Sequence, residues 1–587
     1  MLTTFPSPNA AVLREVRTGR WLLFENPREI VQTFRPEEVT AQLRSVEEAV
    51  NSRGLHAAGW LAYEAAPGFD PTLTVRPDGA FPLLWFGLYA APREIALPAV
   101  DAVPDSGQAD WEASVTPEEY ARAFESIRRW IREGDTYQVN LTYRLRRAFA
   151  ESPWPFFVRL TAAQGPTFGA FLTTPGWTVC SASPELFFRL DGTRLESGPM
   201  KGTAPRGLTQ EQDRRNASAL CASGKNRAEN LMIVDMVRND MGRVAEVGSV
   251  SVPRLFALEK YPTVWQMTST VTAETRAPVA EIFAALFPPA SITGAPKART
   301  MRLIAEIETT PRRVYTGAAG FLAPGRRAQF NVAIRTLLLD SARGQAEYGV
   351  GGGIVWDSVC ESEQAECRTK RRVLDLSLPP FSLLETLLWT PPEGYALLDR
   401  HLARLAESAG YFDFAFDAAA VRQALLARAC AFAAGPHKVR LLLARGGAVT
   451  LEAAPLAAPP GHAARPAVAL ARFPVDRSDP FLYHKTTRRA VYEEALASRP
   501  GFDDVILFNA DGEITESSRA NVAAEMDGVL CTPPVSCGLL AGTLRARLLE
   551  TGELVERVIP VDALLRSPRV VLVNSVRGQV PVTVIAP

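Results

Sequence analysis

Two lysines stand where an amine could do chemistry. Lys201 lies in the run Ser197-Gly198-Pro199-Met200-Lys201-Gly202-Thr203, whose glycines let backbone approach a ligand closely. A small molecule can meet such a lysine end-on, and surroundings that lower its pKa make the free amine a nucleophile or base. The plainer alternative is an exposed turn lysine. Lys485 stands in Tyr483-His484-Lys485-Thr486-Thr487-Arg488-Arg489, read as the start of a helix over Thr487–Leu496. Glu516 follows in Asp511–Asn521, and Gly538-Leu539-Leu540-Ala541-Gly542-Thr543 opens a helix whose N–H groups and dipole suit a phosphate. A lysine for a Schiff base, a carboxylate for a pyridinium nitrogen and a helix start for a phosphate are what pyridoxal phosphate requires. Lys485 taken alone is a surface helix lysine; the other two elements, in order, reverse that.

Carboxylates gather in the half that holds Lys201. The segment Asp357–Glu366 runs into Lys370, and in a helix Glu363, Glu366 and Lys370 share one face. Two carboxylates on a face suit Mg²⁺, although a salt-bridged surface helix has the same pattern. Before it, Tyr348-Gly349-Val350-Gly351-Gly352-Gly353 can turn N–H groups toward a carboxylate, or can be a strand-end turn. Glu229 opens the apolar helical run to Asp240, as a metal carboxylate or a helix-start residue. Glu185, in Ser183-Pro184-Glu185 between two strand-like runs, is a candidate general acid.

The elements that must position these groups belong to more than one domain, because 587 residues exceed one ordinary core. Apolar residues make up 47% and charged residues 22%, as in a globular protein. Basic and acidic residues both number 64, which argues against nucleic-acid binding. No apolar run is long enough to span a bilayer. Met1–Ala10 has no basic start and no apolar core, so no export signal is expected. Seven cysteines without metal spacing suggest free thiols in a reducing cytoplasm, and five scattered histidines argue against a histidine-bound metal or a Ser-His-Asp triad.

The pattern to about residue 370 is α+β. Strands are expected at Trp177–Ser181, Leu186–Leu190 and Ala328–Leu339, and helices at Pro117–Glu133, Asn226–Met241 and Lys297–Glu308. Leu376–Pro380 reads as a linker, dividing the chain into 1–375 and 381–587. Beyond it, strands are expected at Phe381–Trp389, Val439–Ala444, Val505–Phe508 and Val570–Asn574. Helices are expected at Arg400–Gly410, Ala418–Ala433 and Gly542–Glu550, with Ala453–Pro466 as a connector. The halves share no repeat.

The first half resembles the chorismate-utilising enzymes in seven ordered segments. These are Gly134–Thr142, Ser183–Phe187, Pro199–Thr203, Glu229–Asp240, Ser291–Lys297, Asn331–Thr336 and Gly349–Lys370, with weaker similarity at Gly59–Glu64. The resemblance implies a β-sandwich-with-helices fold. Anthranilate synthases carry alanine at the position of Lys201, whereas the aminodeoxychorismate-forming and isochorismate-forming members carry lysine. It therefore implies that Lys201 attacks C2 of chorismate while Glu185 protonates the departing 4-hydroxyl, after which ammonia adds at C4. Glu229 and Glu366, with Glu363 close by, would hold Mg²⁺. Arg335, Tyr348, the backbone near Gly351 and Gly352, and Lys370 would contact substrate, with Thr293 and Gly294 lining the pocket. Gln266 stands where many members have histidine; it cannot carry a proton at neutral pH, which leaves substrate positioning. No G-x-C-x-G nucleophile is present, so ammonia derived from glutamine would come from a separate amidotransferase subunit.

Residues 381–587 resemble the class IV pyridoxal-phosphate family, with a D-amino acid aminotransferase-like fold, which makes the whole an α+β and α/β multidomain chain. That resemblance implies Lys485 as the Schiff-base lysine, Glu516 on the ring nitrogen, and Arg404, Gly542, Thr543 and Ser575 on the phosphate. A homodimer through this half is within what it implies. Ala490 replaces a tyrosine common in aminotransferases, which weakens an aminotransferase reading more than a lyase reading. Together the halves imply a bifunctional enzyme forming 4-aminobenzoate from chorismate. An isochorismate or salicylate synthase with a degenerate second half is the alternative, and a chorismate-binding regulator joined to a dimerisation module is a third reading.

Overall fold

The computed structural model describes residues 7–98, 111–165, 167–374, 380–456 and 465–585. The linker up to Pro379, residues 457–464 of the connector, and Met1–Pro6 of the stretch read for an export signal lie outside them. The chain divides into two compact units: 1–205 with 217–379, and 206–216 with 380–587. Residues 206–216 thus leave the half to which their sequence position assigns them.

The first unit is built on two antiparallel ten-stranded sheets. One runs from Gly294–Ala295 through Gln138–Ala148, Gln345–Ile354, Thr336–Asp340 and Trp177–Ser183 to Phe168–Thr173 and the N-terminal strands. The other begins at Met200–Pro205 and passes through Val264–Glu274, Arg194–Gly198, Leu186–Asp191 and Arg327–Val332 to Ala318–Ala323 and His56–Leu61. Between them, Leu13, Phe24 and Leu172 of one sheet meet Trp60, Trp85 and Phe321 of the other. Trp60 stacks on Trp85 at 4.9 Å. Helix Pro153–Gln164 covers the outer face of the first sheet through Trp154 and Phe157. Helices Pro36–Arg53, Gly224–Gly242 and Val279–Leu286 cover the second through Val39, Leu43, Ile233 and Phe283. Layers of helix, sheet, sheet and helix result, each strand burying one apolar face on each side.

Local signals act as expected where they are strong. Thr116 accepts from the Glu119 N–H while Glu119 accepts in return, closing a capping box ahead of helix Pro117–Arg132. The expected strand Ala328–Leu339 is instead two, Arg327–Val332 and Thr336–Asp340, in different sheets. Arg335 takes φ +50° at the crossover, and its carbonyl accepts from Ala182 N–H. An unbroken apolar run hides this change of sheet, because both flanks are buried strands.

In the second unit, a four-stranded sheet around Leu383–Thr390 and His437–Leu443 carries helices Leu398–Phe412 and Ala418–Ala429. An eight-stranded mixed sheet follows, and the extra pairing of Ile514–Ser517 with Asn521–Met526 closes six of its strands into a barrel. Val449–Pro455 is a strand, so the expected connector begins later than Ala453.

Candidate active sites

Lys201 sits on strand Met200–Pro205 at the edge of the second sheet. A β-carbon at Gly353 would overlap its Nζ, so the amine lies directly against the glycine backbone. The run Gly349–Gly353 is neither a turn nor an anion nest. It is the interior of strand Gln345–Ile354, paired with Gln138–Ala148. Its glycines serve close approach: side chains at Gly349, Gly351, Gly352 and Gly353 would meet Tyr315, Thr142, Glu363 and Lys201 respectively.

Four carboxyl groups lie within electrostatic reach of that amine, and Lys201 draws all four toward ionisation. Glu185, 4% exposed, is pushed up to about 7 by burial, against the pull of the Ser291 hydroxyl, Lys201 and the Met200 backbone. Burial also raises Glu229, with Glu366 and Asp357 adding like charge. Burial raises Glu363 too, although Ser358 Oγ donates to its Oε1 at 2.7 Å. Glu366 is held below the ordinary carboxylate range chiefly by Lys370, whose Nζ is 2.7 Å from its Oε1. The acidic segment is the helix Cys360–Arg371, with Glu363 buried rather than on a solvated face. Glu229 is inside helix Gly224–Gly242, which Ser223 caps, so a capping role for Glu229 is removed.

Lys370 also donates to the Gly351 carbonyl at 2.7 Å. Arg335 Nη1 donates to the Lys370 carbonyl, which the Tyr348 hydroxyl approaches at 3.5 Å. Tyr348 is buried and pushed up to about 12 by that burial. The expected carboxylate clamp is thus one bonded group of Arg335, Tyr348, Gly351 and Lys370. Thr293 Oγ1 faces the Pro289 and Ala290 carbonyls at 3.3 Å, and the Thr293 carbonyl accepts from Asn140 N–H at 2.8 Å. Gly294 packs against the Gln138 carbonyl, where a β-carbon has no room. These two residues brace strand Gln138–Ala148.

Three neighbours were not singled out from sequence. Gln138 is fully buried, neither amide atom has a hydrogen-bond partner among the described residues, and its amide lies beside Gly353 near Lys201. Asn230 Nδ2 donates to the Lys201 carbonyl at 3.3 Å while its Oδ1 accepts from Ser269 at 2.6 Å. Ser291 lies beside Glu185. All three fall in segments quoted above, but an uncharged side chain in a buried run carries no signal of its own. Gln266 donates to the Gly202 carbonyl at 3.1 Å and accepts from Thr203 at 3.2 Å, fixing the strand just after Lys201.

Among the described residues no three acidic, thiol or imidazole groups converge as a ready-made metal cage. Glu229 and Glu363 nonetheless fit a hard cation. Each is raised by burial and by Glu366, a repulsion that a dication with water and substrate ligands relieves.

The second site is a cavity of about 650 Å³ lined by Lys485, Glu516, Arg404, Gly542, Thr543 and Ser575 together. Lys485 is not at a helix start. It lies in an extended loop whose Thr486 bridges Leu383, ahead of helix Ala490–Ala497. Burial lowers Lys485 to about 8, helped by Arg404 and Arg489 and opposed by Glu385 and Glu516. Burial raises Glu516 to about 7, although the Tyr492 hydroxyl donates to its Oε1 at 2.7 Å. A tyrosine hydroxyl therefore reaches this site from Tyr492 rather than from position 490. Arg404 makes two bonds to Glu385, at 2.8 and 2.7 Å, and His401 Nδ1 lies 2.7 Å from the same carboxylate. Burial alone would raise Glu385, but Arg404 and His401 bring it down to about 2. His401 Nε2 is in turn 3.3 Å from Thr543 Oγ1. Ser575 Oγ is 3.5 Å from the Thr386 carbonyl. A β-carbon at Gly542 would strike Asn521 Oδ1, so only glycine lets helix Thr543–Glu550 start here. The lysine, the buried acid and the helix start share one cavity, and that donor set fits pyridoxal phosphate.

The first unit's two-sheet architecture and its ring of carboxyl groups define the class. The chain belongs to the chorismate binding enzymes, whose family model matches residues 9–375. The model of the class IV amino-transferases matches residues 382–585, so two families are fused in one chain. Aminodeoxychorismate synthase component 1 of Escherichia coli is 40% identical over 259 residues, which is 44% of this chain and 57% of that protein. An anthranilate synthase component 1 of Haloarcula marismortui is 34% identical over 363 residues, 54% of this chain and 72% of that one. The solved anthranilate synthase component I of Streptococcus pneumoniae covers 64% of this chain and 94% of its own at TM-score 0.52. Its identity is 23%, a likeness of fold. Among the described residues no helix is long and apolar enough to cross a membrane, and all seven cysteines are free thiols.

Proposed function

We propose that the chain makes 4-aminobenzoate from chorismate in two reactions, amination in the first unit and pyruvate elimination in the second. The observation that carries this reading is a lysine in the first unit among four carboxyl groups, where the relatives named anthranilate synthase are expected to carry alanine. Lys201 Nζ attacks C2 of chorismate. Both conjugated ring double bonds shift, and the C4–O bond breaks as Glu185 gives its proton to the departing hydroxyl, which leaves as water. Ammonia then adds at C4, both double bonds shift back and the Lys201 amine leaves C2. The product is 4-amino-4-deoxychorismate. Glu185, held near 7 by burial, carries the needed proton at neutral pH. Glu229 and Glu366, with Glu363, would hold Mg²⁺, whose charge offsets the substrate carboxylate. Arg335, Tyr348 and Lys370, with Gly351, form the polar wall for the enolpyruvyl carboxylate. Its bonds within the fold keep it in place before substrate arrives.

In the second unit, pyridoxal phosphate supplies an electron sink for the substrate's amino group. Lys485 accepts the proton from the amine-bearing ring carbon, and the C3–O bond breaks to release pyruvate and an aromatic ring. Glu516 would hold a proton between itself and the pyridine nitrogen. Thr543, Gly542 and Ser575 would take the phosphate, with Arg404 contributing charge while bonded to Glu385. Ammonia would come from a separate glutamine amidotransferase. The free thiols support a reducing cytoplasmic setting.

Chorismate, ammonium, Mg²⁺ and pyridoxal phosphate supplied together should yield 4-aminobenzoate and pyruvate in equal amounts. A product that forms without ammonium and carries no nitrogen would instead establish an isochorismate or salicylate synthase.

A further inference from the structure

Residues 206–216 come from the chorismate-binding half of the sequence yet belong to the second unit. Strand Met200–Pro205, which carries Lys201, ends at the residue before them. Within the second unit they form a tight loop. Arg206 makes two bonds to Asp213, at 2.7 and 2.9 Å, and Gly207 N–H donates to the same carboxylate at 2.8 Å. A β-carbon at Gly207 would strike the Asp213 backbone, so no other residue closes the loop this way.

The loop grips Tyr411 from three sides. Arg206 donates to the Tyr411 carbonyl at 3.0 Å and its guanidinium lies 4.5 Å over the ring. The Tyr411 hydroxyl donates to the Gly207 carbonyl at 2.7 Å. The same ring stacks on His484 at 4.3 Å. His484 Nδ1 is 3.0 Å from Ser408 Oγ, the Leu208 backbone faces the imidazole, and burial keeps the ring neutral with its pKa lowered to about 4. His484 immediately precedes Lys485. On its other flank the lysine's own carbonyl accepts from Leu384 N–H at 2.9 Å, and Thr487 N–H reaches the Ser382 carbonyl.

We infer that residues 206–216 are a positioning brace for Lys485, acting through Tyr411 and His484. The loop that bears Lys485 has no helix of its own, so among the described residues the lysine depends on its bond to Leu384 and on what holds each flank. Strand Leu383–Thr390 holds one flank, and Tyr411, clamped by a loop borrowed from the other half, holds the second. This inference rests on the reading of Lys485 as the cofactor lysine. It makes Arg206, Gly207, Asp213 and Tyr411 positioning residues of the second reaction, although three of them fall within the chorismate-binding segment.

The test is hydrogen exchange of the full chain, without added cofactor, comparing Tyr411→Phe with the parent. Losing the hydroxyl bond should speed amide exchange in the segment 482–488 about five- to tenfold while the barrel strands Asn521–Met526 and Val570–Asn574 stay unchanged. Tyr395→Phe is the control, since the Tyr395 hydroxyl makes a like bond to the Leu425 carbonyl at 2.9 Å; it should leave 482–488 unchanged. Arg206→Met should act as Tyr411→Phe does, and more strongly. The Tyr411→Phe chain should also take up pyridoxal phosphate, followed by visible absorbance, about five- to tenfold more slowly. Unchanged exchange at 482–488, or equal acceleration across the unit, overturns the brace. Failure of the cofactor reading shows separately, as no absorbance change in the parent.

Discussion

The two sites solve opposite electrostatic problems. In the first unit three carboxyl groups, Glu185, Glu229 and Glu363, are raised by burial; Lys370 pairs with Glu366 at 2.7 Å, while Lys225 stands 3.9 Å from Glu229. That site is unbalanced until something positive arrives. In the second unit the buried acid Glu385 is already paired with the Arg404 guanidinium and bonded to His401, while Glu516, raised to about 7 by burial, accepts a hydrogen bond from Tyr492. What remains unbalanced there is Lys485, an amine held in the low-dielectric cavity. The first site is built to receive charge with its substrate and cation. The second is built beforehand around a group that must lose its charge.

Removing the two amines tests the comparison hardest. Lys201→Ala should lower chorismate amination by about a thousandfold or more, as expected for loss of a covalent nucleophile. The same chain should convert supplied 4-amino-4-deoxychorismate to 4-aminobenzoate at the parent rate. Lys485→Ala should do the reverse, so that the aminated intermediate accumulates in the medium. If either variant damaged both reactions equally, the two sites would not be separate.

Next in size are the groups that trade protons. Glu185→Gln should lower amination by about 10²–10⁴-fold. The parent's pH profile carries the sign. A general acid works in its protonated form, so amination should be full below about 7, where Glu185 holds its proton, and fall about tenfold per pH unit above it. Lys485 must be neutral to join the cofactor, so pyridoxal phosphate uptake should rise with pH and level off above about 8. Profiles that move in the same direction at both sites would contradict the electrostatic contrast. Smaller again is Glu366→Gln, which should raise the Mg²⁺ concentration for half-maximal amination by about tenfold and leave the second reaction untouched.

Much of this arrangement is legible in residue order alone. Motif spacing places Lys201, Glu185, Glu229 and the pair Glu363 and Glu366 in four separate segments, and the fold brings all five residues within electrostatic reach. Around the second cavity, Lys485, Glu516, Gly542 and Thr543 follow from a lysine, an acid and a helix start in sequence, whereas Arg404 and Ser575 enter only through the family resemblance. Three features are not legible, each for a physical reason. The change of sheet at Arg335 is hidden because both flanking strands are buried and apolar, and period-two alternation says nothing about which sheet a strand joins. The glycines at 349–353 read as a turn because glycine's absence of a side chain serves tight packing and turns alike. The membership of 206–216 in the second unit depends on a partner, Tyr411, some two hundred residues away in the chain, and no local pattern encodes it.

The smallest expected effect concerns Gln266, and it sharpens what kind of help each site gives its lysine. Its amide joins the Gly202 carbonyl to the Thr203 hydroxyl, so it acts on the backbone beyond Lys201 rather than on a proton. Gln266→Ala removes two hydrogen bonds worth about 1 kcal/mol each, part of which water recovers at this half-buried position. Amination should therefore fall only about three- to tenfold, through kcat more than KM, because the strand carrying Lys201 loosens while the carboxylate clamp is unchanged. Its pH profile should keep the limb near 7 that belongs to Glu185. A shifted or missing limb would mean that Gln266 governs proton transfer, and then the first site would not differ from the second in the way its buried acids imply.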